Sequence, residues 1–157
     1  MQEKENTDIK IAIEKLKKYC AVIDRCKWDV IQKIKSSNLM KTKQDDILKI
    51  LIQEKYIDEE RYSRLFCRGK FKIKKWGKNK IIHELKKKHI SKICINKGLL
   101  EINDNEYLKE LNIQYQKKKK TINEKNQFIK KKKIATYLIN KGYESNLVWN
   151  KITKLKE

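Results

Sequence analysis

Arg61, Arg64 and Arg68 are followed closely by Lys74, Lys75, Lys78 and Lys80. Guanidinium and ammonium groups gathered in this way bind phosphates and carboxylates. Tyr62, Phe66, Phe71 and Trp76 are threaded through the same run, so it reads as an ordered element rather than a disordered basic tail. Other chemically capable side chains are scattered. Cys20, Cys26, Cys67 and Cys94 form no CxxC pair, and His83 and His89 are the only histidines that could join them. They read as buried, reduced thiols of a cytosolic protein rather than as metal ligands. There is no Gly-rich phosphate loop, no HExxH and no Cys–His pair at helical reach. The carboxylates at Asp45–Asp46 and Asp58–Glu60 lie near expected helix starts, where the dipole accounts for them. No catalytic residue, cofactor or metal is expected.

The whole chain is basic, with 41 Lys and Arg against 20 Asp and Glu in 157 residues. A net charge of +21 repels itself, and a polyanionic partner is the usual compensation. Nucleic acid ranks first and an anionic membrane surface second. Lys, Ile and Asn are all abundant, a bias that an AT-rich genome imposes. The four arginines, at 25, 61, 64 and 68, are therefore the more informative cations. No apolar run reaches the ~18 residues of a membrane span, and the polar N-terminus does not read as a secretion signal.

Proline is absent and glycine occurs four times, which leaves β-hairpins without their turn residues. The fold class expected is all-α. A repeat organises it. Val30, Ile34, Asn38, Leu39 recurs as Ile81, Leu85, His89, Ile90 and again as Ile134, Leu138, Gly142, Tyr143. Ile57-Asp58-x3-Tyr62 matches Ile102-Asn103-x3-Tyr107 in the same way. Asn, His and Gly all tolerate left-handed backbone, so each should close a helix. This reading assigns His89 to a helix end, and His83 receives no role.

Three three-helix repeats follow: 1–55, 56–101 and 102–157. Helices are expected near 8–23, 27–37, 43–55, 59–75, 78–88, 91–97, 104–120, 125–141 and 145–155. Asp58, Ser91 and Ser145 are the expected N-caps, and Gly98 and Gly142 the expected C-terminal caps. Such repeats stack into an elongated, curved array, suited to lying along a filament or in a groove.

On a helical wheel, Tyr62, Leu65, Phe66, Gly69, Ile73 and Trp76 form one stripe, read as the core face. Gly69 on that stripe implies close approach of a neighbouring helix. The opposite face gathers Arg64, Cys67, Lys74, Lys75 and Lys78, with Arg68 at its edge. Phe71 falls there too, either as part of a binding surface or packed against a neighbouring repeat. Lys78 and Lys80 open the next helix, where cations oppose the dipole unless an anion is near. Lys117–Lys120 and Lys130–Lys133 point all round their helices and read as solvated surface with a diffuse pull on polyanions.

Residues Tyr56–Ser91 resemble the central repeat of the RecX family, bacterial regulators of the RecA recombinase. The resemblance rests on Asp58, Tyr62, Arg68, Trp76-Gly77 and Leu85, and on KGYESNLVWNKI at 141–152, which is similar to the family's C-terminal helix. It extends over about residues 10–155. His89 departs from the family's usual Gly, and the Lys excess is unusual. The resemblance implies tandem three-helix repeats and a protein that binds RecA filaments on single-stranded DNA, in the filament groove. It implies hindered filament growth, lowered ATPase and strand exchange, and so regulation of recombination, repair and the SOS response. A cytoplasmic monomer without membrane contact is expected. Arg64, Arg68, Phe71, Lys74, Lys75, Lys78 and Lys80 are the candidate partner- or DNA-binding residues. Tyr62, Phe66, Gly69, Trp76, Gly77 and Leu85 are the structural ones. The rival readings are a stand-alone basic helical DNA- or RNA-binding protein and a scaffold that binds an acidic protein.

Overall fold

Apolar residues at helical spacing, with few turn formers, give helices throughout. The computed structural model describes residues 1–37, 39 and 41–154. Among them there are nine α-helices and no strand. These are α1 (Gln2–Val22), α2 (Lys27–Lys35), α3 (Lys41–Gln53), α4 (Glu59–Lys72), α5 (Lys78–Lys87), α6 (Lys92–Leu99), α7 (Asp104–Thr121), α8 (Gln127–Asn140) and α9 (Ser145–Thr153). None of them is long and apolar enough to cross a membrane.

Helices pack in threes: α1 and α2 on α3, then α4 with α5 and α6, then α8 with α7 and α9. The first unit has its own core, around Leu16, Val30, Ile34, Ile47 and Leu51. The second and third share one continuous core, which runs from Cys67, Phe71 and Leu85 to Tyr107, Leu138 and Tyr143. The accessible surface is 10914 Å². A compact monomer of 19.0 kDa would expose about 8,400 Å², so the units leave much of their surface open.

The repeat corresponds to real structure. Val30, Ile81 and Ile134 are buried, as are Ile34, Leu85 and Leu138 one turn later. His89 (φ 57°) and Gly142 (φ 106°) both take left-handed backbone. The next amide in each case reaches back to the last turn: Ile90 N donates to Leu85 O at 3.2 Å, and Tyr143 N donates to Leu138 O at 3.1 Å. This is the double closure that a left-handed residue permits. Lys55 (φ 59°) closes α3 in the same way, with Tyr56 N donating to Leu51 O. The matching expectation for Asn38 lies outside the described residues. Ile57 and Ile102 are buried just ahead of the N-caps Asp58 and Asn103, and Tyr62 and Tyr107 are buried one turn in.

Several local expectations are corrected. The N-cap of α9 is Glu144, and Ser145 is the helix's first residue. Gly98 lies inside α6 rather than after it. It is the site of close approach: a Cβ there would strike the Ser63 hydroxyl and carbonyl and the Cys67 sulfur. Gly69 has no neighbour within 4 Å of where its Cβ would be, so it brings no helix close.

That displacement explains a larger one. The small residues Ser63, Cys67 and Gly98 let α4 and α6 meet closely, which turns α4 by roughly a quarter turn from the expected stripe. Its buried face is Tyr62, Ser63, Cys67 and Phe71. Leu65 (42% exposed) and Ile73 (77% exposed) face outward. Phe71 is 5% exposed and its ring centroid lies 5.8 Å from that of Tyr107. It packs between the second and third units and is not a binding-surface residue.

Candidate binding surface

The corner between α4 and α5 is held in place by backbone contacts to the third unit. Gly77 is the N-cap of α5, and its N–H donates to Lys141 O at 2.9 Å. Asn79 N donates to Gly142 O at 2.9 Å, and the Tyr143 hydroxyl donates to Lys75 O at 3.0 Å. A Cβ on Gly77 would strike the Gly142 carbonyl group and the Tyr143 nitrogen. Only glycine permits this approach, in which two backbones touch. Lys75 itself takes left-handed backbone (φ 60°) where the chain turns out of α4.

Most cations predicted to bind a partner are engaged within the chain. Arg64 holds Glu60 and Glu101, each at 3.1 Å, and Arg68 holds Glu101 at 2.7 Å. Hydrogen bonds from Arg68 and Arg64 keep the Glu101 carboxyl below the usual glutamate range. Lys78 pairs with Asp104 at 3.1 Å and lies over the Tyr107 ring. Lys75 pairs with Glu110 at 3.5 Å. These pairs are partly or largely exposed, so a stronger anion can compete for them, but none is a free cation waiting for phosphate. Lys74 is exposed with no ion pair among the described residues.

The structure adds a feature that the wheel did not show. Trp76 is half-buried, with Lys80 4.5 Å and Lys70 4.9 Å from its ring centroid. Lys70 also lies 5.3 Å from the Phe66 ring. Lys70 and Lys80 thus make a cationic patch set on aromatic rings, and Lys72 and Lys74 are exposed close by in the chain. The signal for Lys70 was present in the sequence, because Phe66 and Lys70 are four apart and so neighbours on one helix face. Of the predicted structural residues, Tyr62, Gly77 and Leu85 are buried, while Phe66 and Trp76 are half-buried beneath lysines.

The two lysine runs are partly brought together. Lys118 from one, and Lys132 and Lys133 from the other, line a groove of about 560 Å³ with Ile122, Ile129 and Tyr137. Lys118 sits 4.5 Å over Tyr137, and Lys133 reaches Glu124 at 3.5 Å. Cys20, Cys26 and Cys67 are buried free thiols, and burial pushes Cys26 and Cys67 each up to about 11. That is the direction of inert rather than reactive thiols.

Residues 58–99 match the family model "RecX, second three-helix domain". The matched segment covers α4, α5 and α6, the helices that carry the Trp76 patch and the Gly98 approach. No curated protein sequence matches the chain. Among solved structures, the chain is similar to a crystal structure of the regulatory protein RecX. The TM-score is 0.84 at 20% identity, covering 93% of this chain and 73% of that one. It is also similar to RecX from Lactobacillus salivarius, with a TM-score of 0.83 at 20% identity, covering 96% of this chain and 97% of that one. The RecX resemblance is thus shown at two levels: residues 58–99 match the second three-helix domain of RecX, and the chain has the fold of the RecX structures along nearly all its length.

Proposed function

We propose that the protein is a regulator of the RecX type, binding RecA filaments on single-stranded DNA and restraining filament growth, ATPase activity and strand exchange. The observation that carries this reading is the family match over residues 58–99, on the helices that present the Lys70–Trp76–Lys80 patch. The units 1–55, 56–101 and 102–157 act as one array, whose open surface suits a filament better than a small substrate. The role is that of a monomeric cytoplasmic binding protein with no catalytic residue or cofactor. Lys70, Lys72, Lys74 and Lys80 meet phosphate. Arg64, Arg68, Lys75 and Lys78 contribute through ion pairs that can be exchanged for partner carboxylates or phosphates. The DNA-dependent ATPase of RecA tests the reading. Inhibition by substoichiometric amounts of this protein is expected, and full ATPase activity at equimolar protein would refute it.

A second reading, direct nucleic-acid binding without RecA, is favoured by Lys70 and Lys80 on the Trp76 ring and by the exposed Lys72 and Lys74 nearby in the chain. It predicts equal affinity for single-stranded DNA with and without RecA.

A further inference from the structure

Arg25 lies in none of the cationic features described so far. It follows α1 and lines a cleft of about 540 Å³ between the end of that helix and the side of α4. Val22, Ile23, Leu65 and Phe66 supply the apolar lining, and Lys70 and Lys88 are the other cations. Val22 is 79% and Ile23 58% exposed, so aliphatic surface here meets water without a covering element.

Each of the other three arginines holds a carboxylate: Arg61 that of Asp24, Arg64 those of Glu60 and Glu101, and Arg68 that of Glu101. Among the described residues Arg25 holds none. Its guanidinium stacks 4.2 Å from the Tyr19 ring centroid, which fixes its plane, and its Nε is buried without a hydrogen-bond partner. The two carboxylates lining the cleft are already taken, Asp24 by Arg61 at 2.7 Å and Asp29 by Lys88 at 2.9 Å. The cleft therefore offers a pre-oriented, uncompensated guanidinium beside exposed aliphatic side chains.

A nucleic-acid backbone would use the charge and gain nothing from Val22, Ile23 and Leu65. A protein segment carrying a carboxylate between apolar side chains uses both, and arginine set in an apolar patch is a recurrent anchor of protein interfaces. We propose that the α1–α4 cleft docks an acidic, apolar-flanked segment of the filament protein, with Arg25 gripping its carboxylate. This rests on the RecA reading above and assigns the protein-contacting part of the surface to the Arg25 side of the cleft, which adjoins the Trp76 patch through Lys70.

The test is co-sedimentation with RecA filaments on single-stranded DNA, for the wild type, Arg25→Gln and Ile23→Ser. Fluorescence anisotropy with the same DNA, free of RecA, runs in parallel. Ile23 is exposed, so Ile23→Ser keeps the fold even if Arg25→Gln lowers the melting temperature. Both variants are expected to need ~10-fold more protein to half-saturate filaments, equivalent to ~1.4 kcal/mol. Binding to bare DNA should stay within about twofold, since Arg25 is one charge among many. Unchanged filament binding by folded Ile23→Ser would overturn the proposal. So would an equal loss in both assays for Arg25→Gln, which marks a phosphate contact. Failure of the wild type itself to sediment with filaments would defeat the RecA reading, and the proposal with it.

Discussion

Lys88 Nζ lies 2.9 Å from Asp29 Oδ1 and 3.0 Å from the Tyr62 hydroxyl. One ammonium at the end of α5 thus joins α2 of the first unit to α4 of the second. Asp29 also accepts from the Cys26 backbone N–H at 3.2 Å and from its thiol at 3.3 Å. Most of the first unit packs in a core of its own, with only Cys26 and Trp28 entering the larger one, and this bridge and the Arg61–Asp24 pair are polar ties between them. Lys88→Met leaves Asp29 buried without its cation, which should cost ~1–3 kcal/mol in urea denaturation. Adding Asp29→Asn should recover part of that loss, a coupling of ~0.5–3 kcal/mol. Additive losses would mean that the bridge does not join the units.

The same bridge has a pH signature. Burial pushes the Asp29 carboxyl up, but hydrogen bonds from Lys88 and Cys26 outweigh it and hold the group below its ordinary 3.8. Burial pulls Lys88 down, and Tyr62 and Asp29 outweigh that, holding it above 10.5. A lowered carboxyl contributes stability above its ordinary value and loses it as pH falls through the folded value. A raised ammonium contributes below its ordinary value and loses it as pH rises through the folded one. The stability gap between wild type and Asp29→Asn should therefore be level from roughly pH 5 to 9 and shrink in acid, below about pH 4. A gap that stays constant down to about pH 2 would contradict the assignment.

Phe71→Ala separates packing from binding. The ring is buried against Tyr107, so truncation should cost ~3–5 kcal/mol and lower the melting temperature sharply. A variant as stable as the wild type that has lost filament affinity would restore Phe71 to the surface.

Salt dependence locates the phosphate contacts. Each lysine that meets phosphate should flatten the log–log slope for single-stranded DNA by ~0.7. Joint replacement of Lys70, Lys72, Lys74 and Lys80 by Ala should flatten it by ~2 or more. Arg64→Ala with Arg68→Ala should flatten it less, because both side chains are tied to Glu101. The reverse ranking would show that DNA displaces the Glu101 pairs.

The fold was legible because its signals are periodic and local. Ile81, Leu85, His89 and Ile90 state a helix, its buried stripe and its left-handed end within ten positions, and the third unit repeats them. Asp58 and Asn103 stand where caps belong, each one residue after a buried isoleucine. The orientation of α4 was not legible, because it depends on contact with a helix about thirty residues away. Ser63 and Cys67 look unremarkable on a wheel beside Leu65 and Ile73, yet Gly98 makes them the contact face. The charge state of the surface was hidden for the same reason. Glu101 follows α6, far in sequence from the Arg64 and Arg68 that it holds. Arg25 stood among the four informative arginines but had no assigned site, because its distinction is the lack of a carboxylate partner among the described residues, visible only once the other arginines are seen paired.

The central claim concerns a protein filament, not DNA alone. The measurement is anisotropy of labelled protein titrated with single-stranded DNA, and with the same DNA preloaded with RecA. At physiological salt the RecA-coated strand should bind at least ~10-fold more tightly, a difference of ~1.4 kcal/mol or more. Equal affinity for both, or weaker binding to the coated strand, would contradict the account.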